Sequence, residues 1–364
     1  MIYNIDKYLN MIGYNLQLPD NKFEELNNSY KAICTYISNN HKLAESEEFS
    51  IYYQGSFAID TAIRPLKNDD FDVDIVVEFD MSKKDMSPVD FYNELLSTFK
   101  TGRYANMVKT HRNSIEIDYD TNYHFDIMPS IPLAYNSDSL NVPNVKKVEW
   151  VIRSPKRYKE WFIEQTNKIK GYRIKVDKNR FLLEYQSTPL EKPKPYEIKP
   201  TLNRVVQLIK RARDVYFKDV EECIPQSIVL TTLAARFYDG EASIFEAIYN
   251  ITHKMFKLND IKNFTVYNPA CNGHQENFTE KWLKNPNYYK NYKNFTSYLL
   301  ENLEEIKTNN SIKALKNIFG ETIIDKVKED TKYDTIWIEP KKIISQNVFP
   351  NKEVKINKKE RGNA

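Results

Sequence analysis

The sequence predicts an α/β (α+β) protein of two lobes, a mixed β-sheet followed by a helical region. Three observations carry this. Short alternating runs rich in β-branched residues recur up to Ile131. A stretch with four prolines and three lysines, Thr188 to Pro200, interrupts the chain. Beyond it, apolar residues recur at helical spacing. The expected division is a sheet-bearing unit with an N-terminal helix over 1–195, a helical lobe over 196–340 and a mobile polar tail over 341–364.

The elements follow in order. Phe23, Leu26, Tyr30, Ile33 and Ile37 share one helical face, so residues 20–40 read as a helix with Asp20 as its cap. Ser50 to Tyr53 reads as a strand ending in the turn Gln54-Gly55-Ser56. Phe71 to Phe79, FDVDIVVEF, alternates and is a strand. Ser87-Pro88-Val89-Asp90 is a capping box that opens a helix to about Lys100. Strands follow at Ser114 to Tyr119 and Tyr123 to Ile131. After the linker, helices are expected from Pro200 to Phe217, Pro225 to Tyr238, Glu241 to Lys257, Asn291 to Lys307 and Ser311 to Phe319, the last closed by Gly320.

Composition narrows the function. The chain has 364 residues, 41% hydrophobic and 28% charged, ordinary for a soluble protein with a sizeable core. No window reads as a signal peptide or a membrane span, so a cytoplasmic location with no membrane partner is expected. Three scattered cysteines, Cys34, Cys223 and Cys271, fit a reducing compartment. Cys271 and His274 alone make a poor metal site. Charge is uneven. Residues 1–145 hold 12 Lys+Arg against 22 Asp+Glu, whereas residues 146–213 hold 19 against 7. An acidic segment ahead of a basic one can pair metal-binding carboxylates with phosphate-binding cations, although most such charges are solvated surface.

The carboxylate pattern is the sharpest signal. Asp72 and Asp74 stand at i and i+2 on a strand and so share a face, opposite Phe71, Val73 and Ile75. Phosphoryl transfer is helped by two divalent ions held by a few carboxylates and by substrate oxygens. A third carboxylate on a neighbouring strand would complete the set. Asp126, inside an apolar strand where an aspartate is costly, is one candidate. Asp118 and Asp120, also spaced i, i+2, are the competing pair, and spacing alone leaves the choice open. Gly55 lets backbone approach a phosphate, and the Ser56 hydroxyl can bind its oxygens.

Together these blocks resemble a known family. Gln54-Gly55-Ser56-Phe57-Ala58, Phe71-Asp72-Val73-Asp74 and His124-Phe125-Asp126-Ile127-Met128-Pro129 are similar to the bacterial CD-NTases. These cGAS/DncV-like, polymerase-β-type nucleotidyltransferases make the second messengers of CBASS anti-phage defence. Leu208-Ile209-Lys210-Arg211-Ala212-Arg213 resembles the helix whose lysine contacts the donor triphosphate. Pro225-Gln226-Ser227 resembles the next helix start, whose serine also touches it. Asn268-Pro269, Glu276-Asn277-Phe278 and Trp282 resemble a signature of the helical (OAS-like) lobe. Ile228 stands where some animal relatives place a base-stacking aromatic, and no cysteine-rich zinc insertion is present.

The resemblance implies Asp72, Asp74 and Asp126 as catalytic residues holding two Mg2+ ions, with Mn2+ as the alternative. It implies Gln54, Gly55, Ser56, Lys210 and Ser227 as nucleotide-binding residues. The product would be a cyclic di- or oligonucleotide made from ATP, GTP or a pyrimidine triphosphate, acting on a downstream effector by messenger rather than by contact. A tail ending in Ala364 is compatible with ubiquitin-like conjugation machinery as a partner. Two other readings share these residues: a tailing nucleotidyltransferase acting on RNA, protein or a small molecule, and a catalytically idle nucleotide-binding protein.

Overall fold

The structure, a computed structural model, describes residues 2–66, 70–119, 123–134, 137–168, 190–258, 264–271 and 276–332. Asp120, Thr188, His274 and the tail over 341–364 lie outside the described residues.

Among the described residues, seven strands form one mixed sheet: β1 (Phe49–Tyr53), β2 (Phe71–Phe79), β3 (Val108–Thr110), β4 (Ile115–Tyr119), β5 (Tyr123–Pro132), β6 (Leu140–Asn144) and β7 (Glu149–Arg153). The order is β1-β2-β5-β4-β3, with β6 pairing both β5 and β7. Only β2 and β5 run parallel; the other pairs are antiparallel. A parallel pair needs a crossover longer than a hairpin turn. The chain between β2 and β5 supplies it.

Alternation explains how the sheet sits. On β2, Val73, Ile75, Val77 and Phe79 are fully buried on one face. Two helices cover that face, the one over Asp20–Asn40 and the one over Pro88–Phe99, through residues such as Leu26, Ile33, Phe91 and Leu95. Burying each such side chain contributes roughly 1.5–3 kcal/mol. The opposite face carries Asp72 and Asp74. The Ser87 hydroxyl accepts from the Asp90 N–H at 3.2 Å, as the capping box predicts. Asp20 is instead the first helical residue after Pro19 and makes no side-chain cap.

The helices are α1 (Ile2–Asn15), α2 (Asp20–Asn40), α3 (Leu43–Ser46), α4 (Gly55–Ala58), α5 (Pro88–Phe99), α6 (Pro155–Thr166), α7 (Thr201–Tyr216), α8 (Ser227–Phe237), α9 (Ile244–Phe256), α10 (Glu280–Lys284), α11 (Asn287–Asn309), α12 (Ile312–Phe319) and α13 (Glu321–Lys332). A second apolar core joins α7, α8, α9, α11, α12 and α13. The first helix belongs to it as well, because Ile5, Leu9, Ile12 and Leu16 lie on one face and are buried there.

One local expectation is corrected. Ser227 is the first residue of α8, with Gln226 as N-cap, rather than two residues inside a helix begun by Pro225. At the end of the linker, Lys199 is 3% exposed and its ammonium pairs with Asp60 at 2.9 Å.

Candidate active site

Strand register assembles the site. On the parallel pair, Asp72 lies beside His124 and Asp74 beside Asp126. On the next, antiparallel pair, Asp126 lies beside Glu116 and His124 beside Asp118. In-register neighbours point to one face, so all six side chains share it. Asp126 is one strand from Asp74. Asp118 is two strands from Asp72, and Lys109 holds its carboxylate at 2.5 Å. The geometry therefore brings Asp126, not Asp118, against the Asp72–Asp74 pair.

Crowding shows in the titration of these groups. Burial, followed by the charges of Asp72 and Asp126, pushes the Asp74 carboxyl well above the carboxylate range, against the pull of Lys210. Burial and Asp72 push Asp126 up to about 6, against His111 and His124. Asp72 is also raised, by burial, with His124 and Lys210 opposing. Its side chain is nevertheless 54% exposed, so it is the member most open to solvent.

The Gly-Ser turn abuts this cluster. Gly55 opens the one-turn helix α4 at φ +62, and a Cβ placed there would lie 1.9 Å from Asp74 Oδ2. Only glycine fits both the backbone and the space. The Gln54 N–H donates to the Asp74 carbonyl at 2.8 Å, which ties the turn to β2. The Gln54 side chain points toward Met128 Sδ, 3.9 Å away. Ser56 is half-buried in the same turn.

The helical side brings a cation. Lys210 on α7 is 9% exposed, and its Nζ donates to the Thr61 carbonyl at 3.1 Å. Burial and Arg213 push its pKa down to about 8, with Asp214, Asp72 and Asp74 acting the other way. The Ser227 hydroxyl accepts from Arg213, whose guanidinium also pairs with Asp214. The predicted residues thus fall into a carboxylate cluster with the Gly-Ser turn against it, facing Lys210, and a Ser227–Arg213 contact one turn further along α7.

Sequence reasoning missed the histidines. His124 Nε2 lies 3.5 Å from Asp72 Oδ1, and His111 Nε2 lies 2.7 Å from Glu116 Oε2. Alternation places His124 on the face of Asp126, two residues away, and that signal could have found it. Cys271 is buried, with its sulfur 3.1 Å from the Ser154 hydroxyl.

The donor set fits a divalent cation. Asp126 Oδ1 is buried and accepts no hydrogen bond, a state that costs about 1–3 kcal/mol unless something compensates it. Asp72, His124 and Asp126 can bring one ligand atom each within 4.8 Å of one another. Carboxylate oxygens suit magnesium or manganese, whereas imidazole suits softer metals.

A mixed sheet that aligns carboxylates across a parallel central pair, facing a lysine from a helical lobe, defines a nucleotidyltransferase. Residues 4–167 match the Second Messenger Oligonucleotide or Dinucleotide Synthetase domain. Over that segment the chain is similar to second-messenger nucleotide synthetases, and its overall fold is similar to that of bacterial CD-NTases. It is 28% identical over 314 residues to the c-di-GMP synthase of Roseivirga ehrenbergii, covering 84% of this chain and 81% of that one. Its fold is similar to that of the Bradyrhizobium diazoefficiens CD-NTase CdnG, solved in complex with GTP, with a TM-score of 0.72 at 20% identity over 90% of this chain and 99% of that one. It is also similar to the Vibrio cholerae DncV cyclic AMP-GMP synthase in complex with nonhydrolyzable GTP, with a TM-score of 0.57 at 15% identity over 88% and 89% of the two chains. Among the described residues, no helix is long and apolar enough to cross a membrane.

Proposed function

We propose that the protein joins two nucleoside triphosphates into a cyclic dinucleotide and releases two pyrophosphates, with GTP as a substrate. The observation that carries the chemistry is the register of Asp74 beside Asp126, with Asp72 on the same face. GTP is favoured over the ATP and pyrimidine alternatives by the name of the c-di-GMP synthase relative and by the GTP in the CdnG structure.

The reaction balances in two rounds. A ribose hydroxyl of one nucleotide attacks the α-phosphate of the other. A new O–P bond forms, the bond to pyrophosphate breaks, and Asp126 takes the hydroxyl proton. In the second round the remaining triphosphate of the linear intermediate is attacked by its free ribose hydroxyl, which closes the ring and releases the second pyrophosphate. Asp72 and Asp74 would hold two magnesium ions, or manganese, and Asp126 the one on the attacking side. Such ions, when bound, supply charge neutralisation at the attacking and leaving oxygens. The Gly55 backbone, the Ser56 hydroxyl, the Lys210 ammonium and Ser227 at the start of α8 hold the triphosphate, and Gln54 fixes the turn to β2. In the proposed division at 195/196, these grips come from both sides of the boundary.

The same reading places the enzyme in the cytoplasm, in CBASS antiviral defence, with an effector reached through the messenger. The similarity to second-messenger synthases supports that setting.

Labelled GTP with magnesium tests the site. Asp126→Asn is expected to abolish product, whereas Asp118→Asn keeps most of it. The reverse pattern would move the third ligand to Asp118.

A further inference from the structure

The segment from Ile59 to Arg64, which leaves the Gly-Ser turn, has no regular secondary structure. Four of its backbone carbonyls, those of Ile59, Thr61, Ala62 and Arg64, are nevertheless taken up by side chains of a single helix. The Asn203 amide donates to the Ile59 carbonyl at 2.8 Å. The Gln207 amide donates to the Ala62 carbonyl at 2.8 Å. Lys210 donates to Thr61, and Arg211 to Arg64 at 2.8 Å. Asn203 and Gln207 are four residues apart on α7, and Lys210 and Arg211 follow three and four residues after Gln207, so they line one side of the helix. All are buried; Gln207 is fully inaccessible and Asn203 is 4% exposed.

Buried polar side chains are costly unless bonded. A helix that needed only to pack would present leucines there. This face instead grips the strap that joins Ser56 to the rest of the sheet unit. The grip reaches back to the turn, because the Thr61 N–H donates to the Ser56 carbonyl at 2.9 Å. The same residue, Thr61, holds Ser56 through its N–H and Lys210 through its carbonyl. An ammonium has three donors, so a carbonyl bond fixes the Lys210 nitrogen and leaves donors for a phosphate.

We infer that Gln207 and Asn203 are positioning residues for the donor triphosphate: by clamping the 59–64 strap onto α7 they set the spacing between Ser56 and Lys210. The two halves of the grip are then one preset unit. This rests on the proposal that Ser56 and Lys210 bind a triphosphate.

The test is calorimetric binding of a nonhydrolysable GTP analogue to the full chain with magnesium. Gln207→Leu keeps a side chain of similar bulk and removes its donor. It is expected to weaken the analogue about tenfold, the worth of one well-placed hydrogen bond to an already buried group. Manganese affinity at the carboxylates should change less than about twofold, since the strap acts on the triphosphate grip. Gln17→Leu is the control. Gln17 exchanges hydrogen bonds with Gln207 at 3.1 and 3.3 Å without touching the strap, and its loss should leave analogue binding unchanged. In a Lys210→Met background, Gln207→Leu should add less than about a twofold loss, because the two act as one unit. Gln207→Met and Asn203→Ser carry the same expectations should Gln207→Leu fail to fold.

Variants at 207 and 203 that bind the analogue like wild type would overturn the inference. So would losses at 207 and 210 that multiply fully, as independent structural damage does. A wild-type chain that ignores the analogue, or a Lys210→Met chain that binds it undiminished, would instead overturn the triphosphate reading on which the inference stands.

Discussion

Replacing Gly55 with alanine separates backbone strain from chemistry. At φ +62 an L-residue costs roughly 1–2 kcal/mol relative to glycine. The added methyl would meet Asp74 Oδ2 at 1.9 Å. To reach an ordinary contact of about 3.5 Å, the carboxylate or the turn must retreat by about 1.5 Å. A misplacement of about 1 Å at a reacting centre can cost on the order of 100-fold in rate. Gly55→Ala is therefore expected to lose at least about 100-fold in kcat, while its melting temperature falls only a few degrees, the scale of about 1–2 kcal/mol in a chain of this size. Pyrophosphate release from GTP with magnesium reads the first effect and thermal unfolding reads the second. Gly320→Ala is the matched control, with φ +93 but its nearest neighbour, Val215 Cγ2, at a comfortable 3.6 Å. It should lose stability and keep activity. A folded Gly55→Ala enzyme within about threefold of wild type would refute the placement of the turn against a working Asp74.

Two pH dependences follow from buried bases. Lys210, pushed down to about 8, is charged below that pH and neutral above it. The kcat/KM for GTP is expected to fall as pH rises through about 8, and Lys210→Arg, which stays charged, should lose that limb at a lower plateau; a wild-type profile flat to high pH would contradict this. His41 is 2% exposed, bonds Thr98 at 2.8 Å and is pushed by burial from 6.5 down to about 4. The unfolded chain protonates it first, so its contribution is complete above about 6.5 and is lost toward pH 4, up to about 3 kcal/mol. The raised Asp74 and Asp126 act in the opposite sense, so the measure is the difference between wild type and His41→Gln in denaturant titrations. Parallel curves would show that the His41 shift is absent.

The sequence was most informative where one short stretch determines the outcome. Strand β2 ends where the alternation of FDVDIVVEF ends, and the capping box at Ser87 opens α5. Asp72 and Asp74 share a face because a strand has period two. What could not be read depends on pairing across long separations. Asp126 and Asp118 have similar local patterns, and only the parallel register of β2 with β5 distinguishes them. The strap is hidden for the same reason. Asn203, Gln207 and Arg211 look like the polar side of an amphipathic helix until irregular backbone from residues 59–64 is laid along them. Helix α1 is separated by nearly 200 residues from the core it completes.

The central claim is that register-matched carboxylates join nucleotides without a polymer template. Mass spectrometry of the product made from GTP and magnesium, after phosphatase treatment, tests it most directly. The expected result is a phosphatase-resistant species with the mass of two guanylates closed into a ring, absent with Asp74→Asn. Product that appears only when RNA is added, or none from any of the four triphosphates, would contradict it.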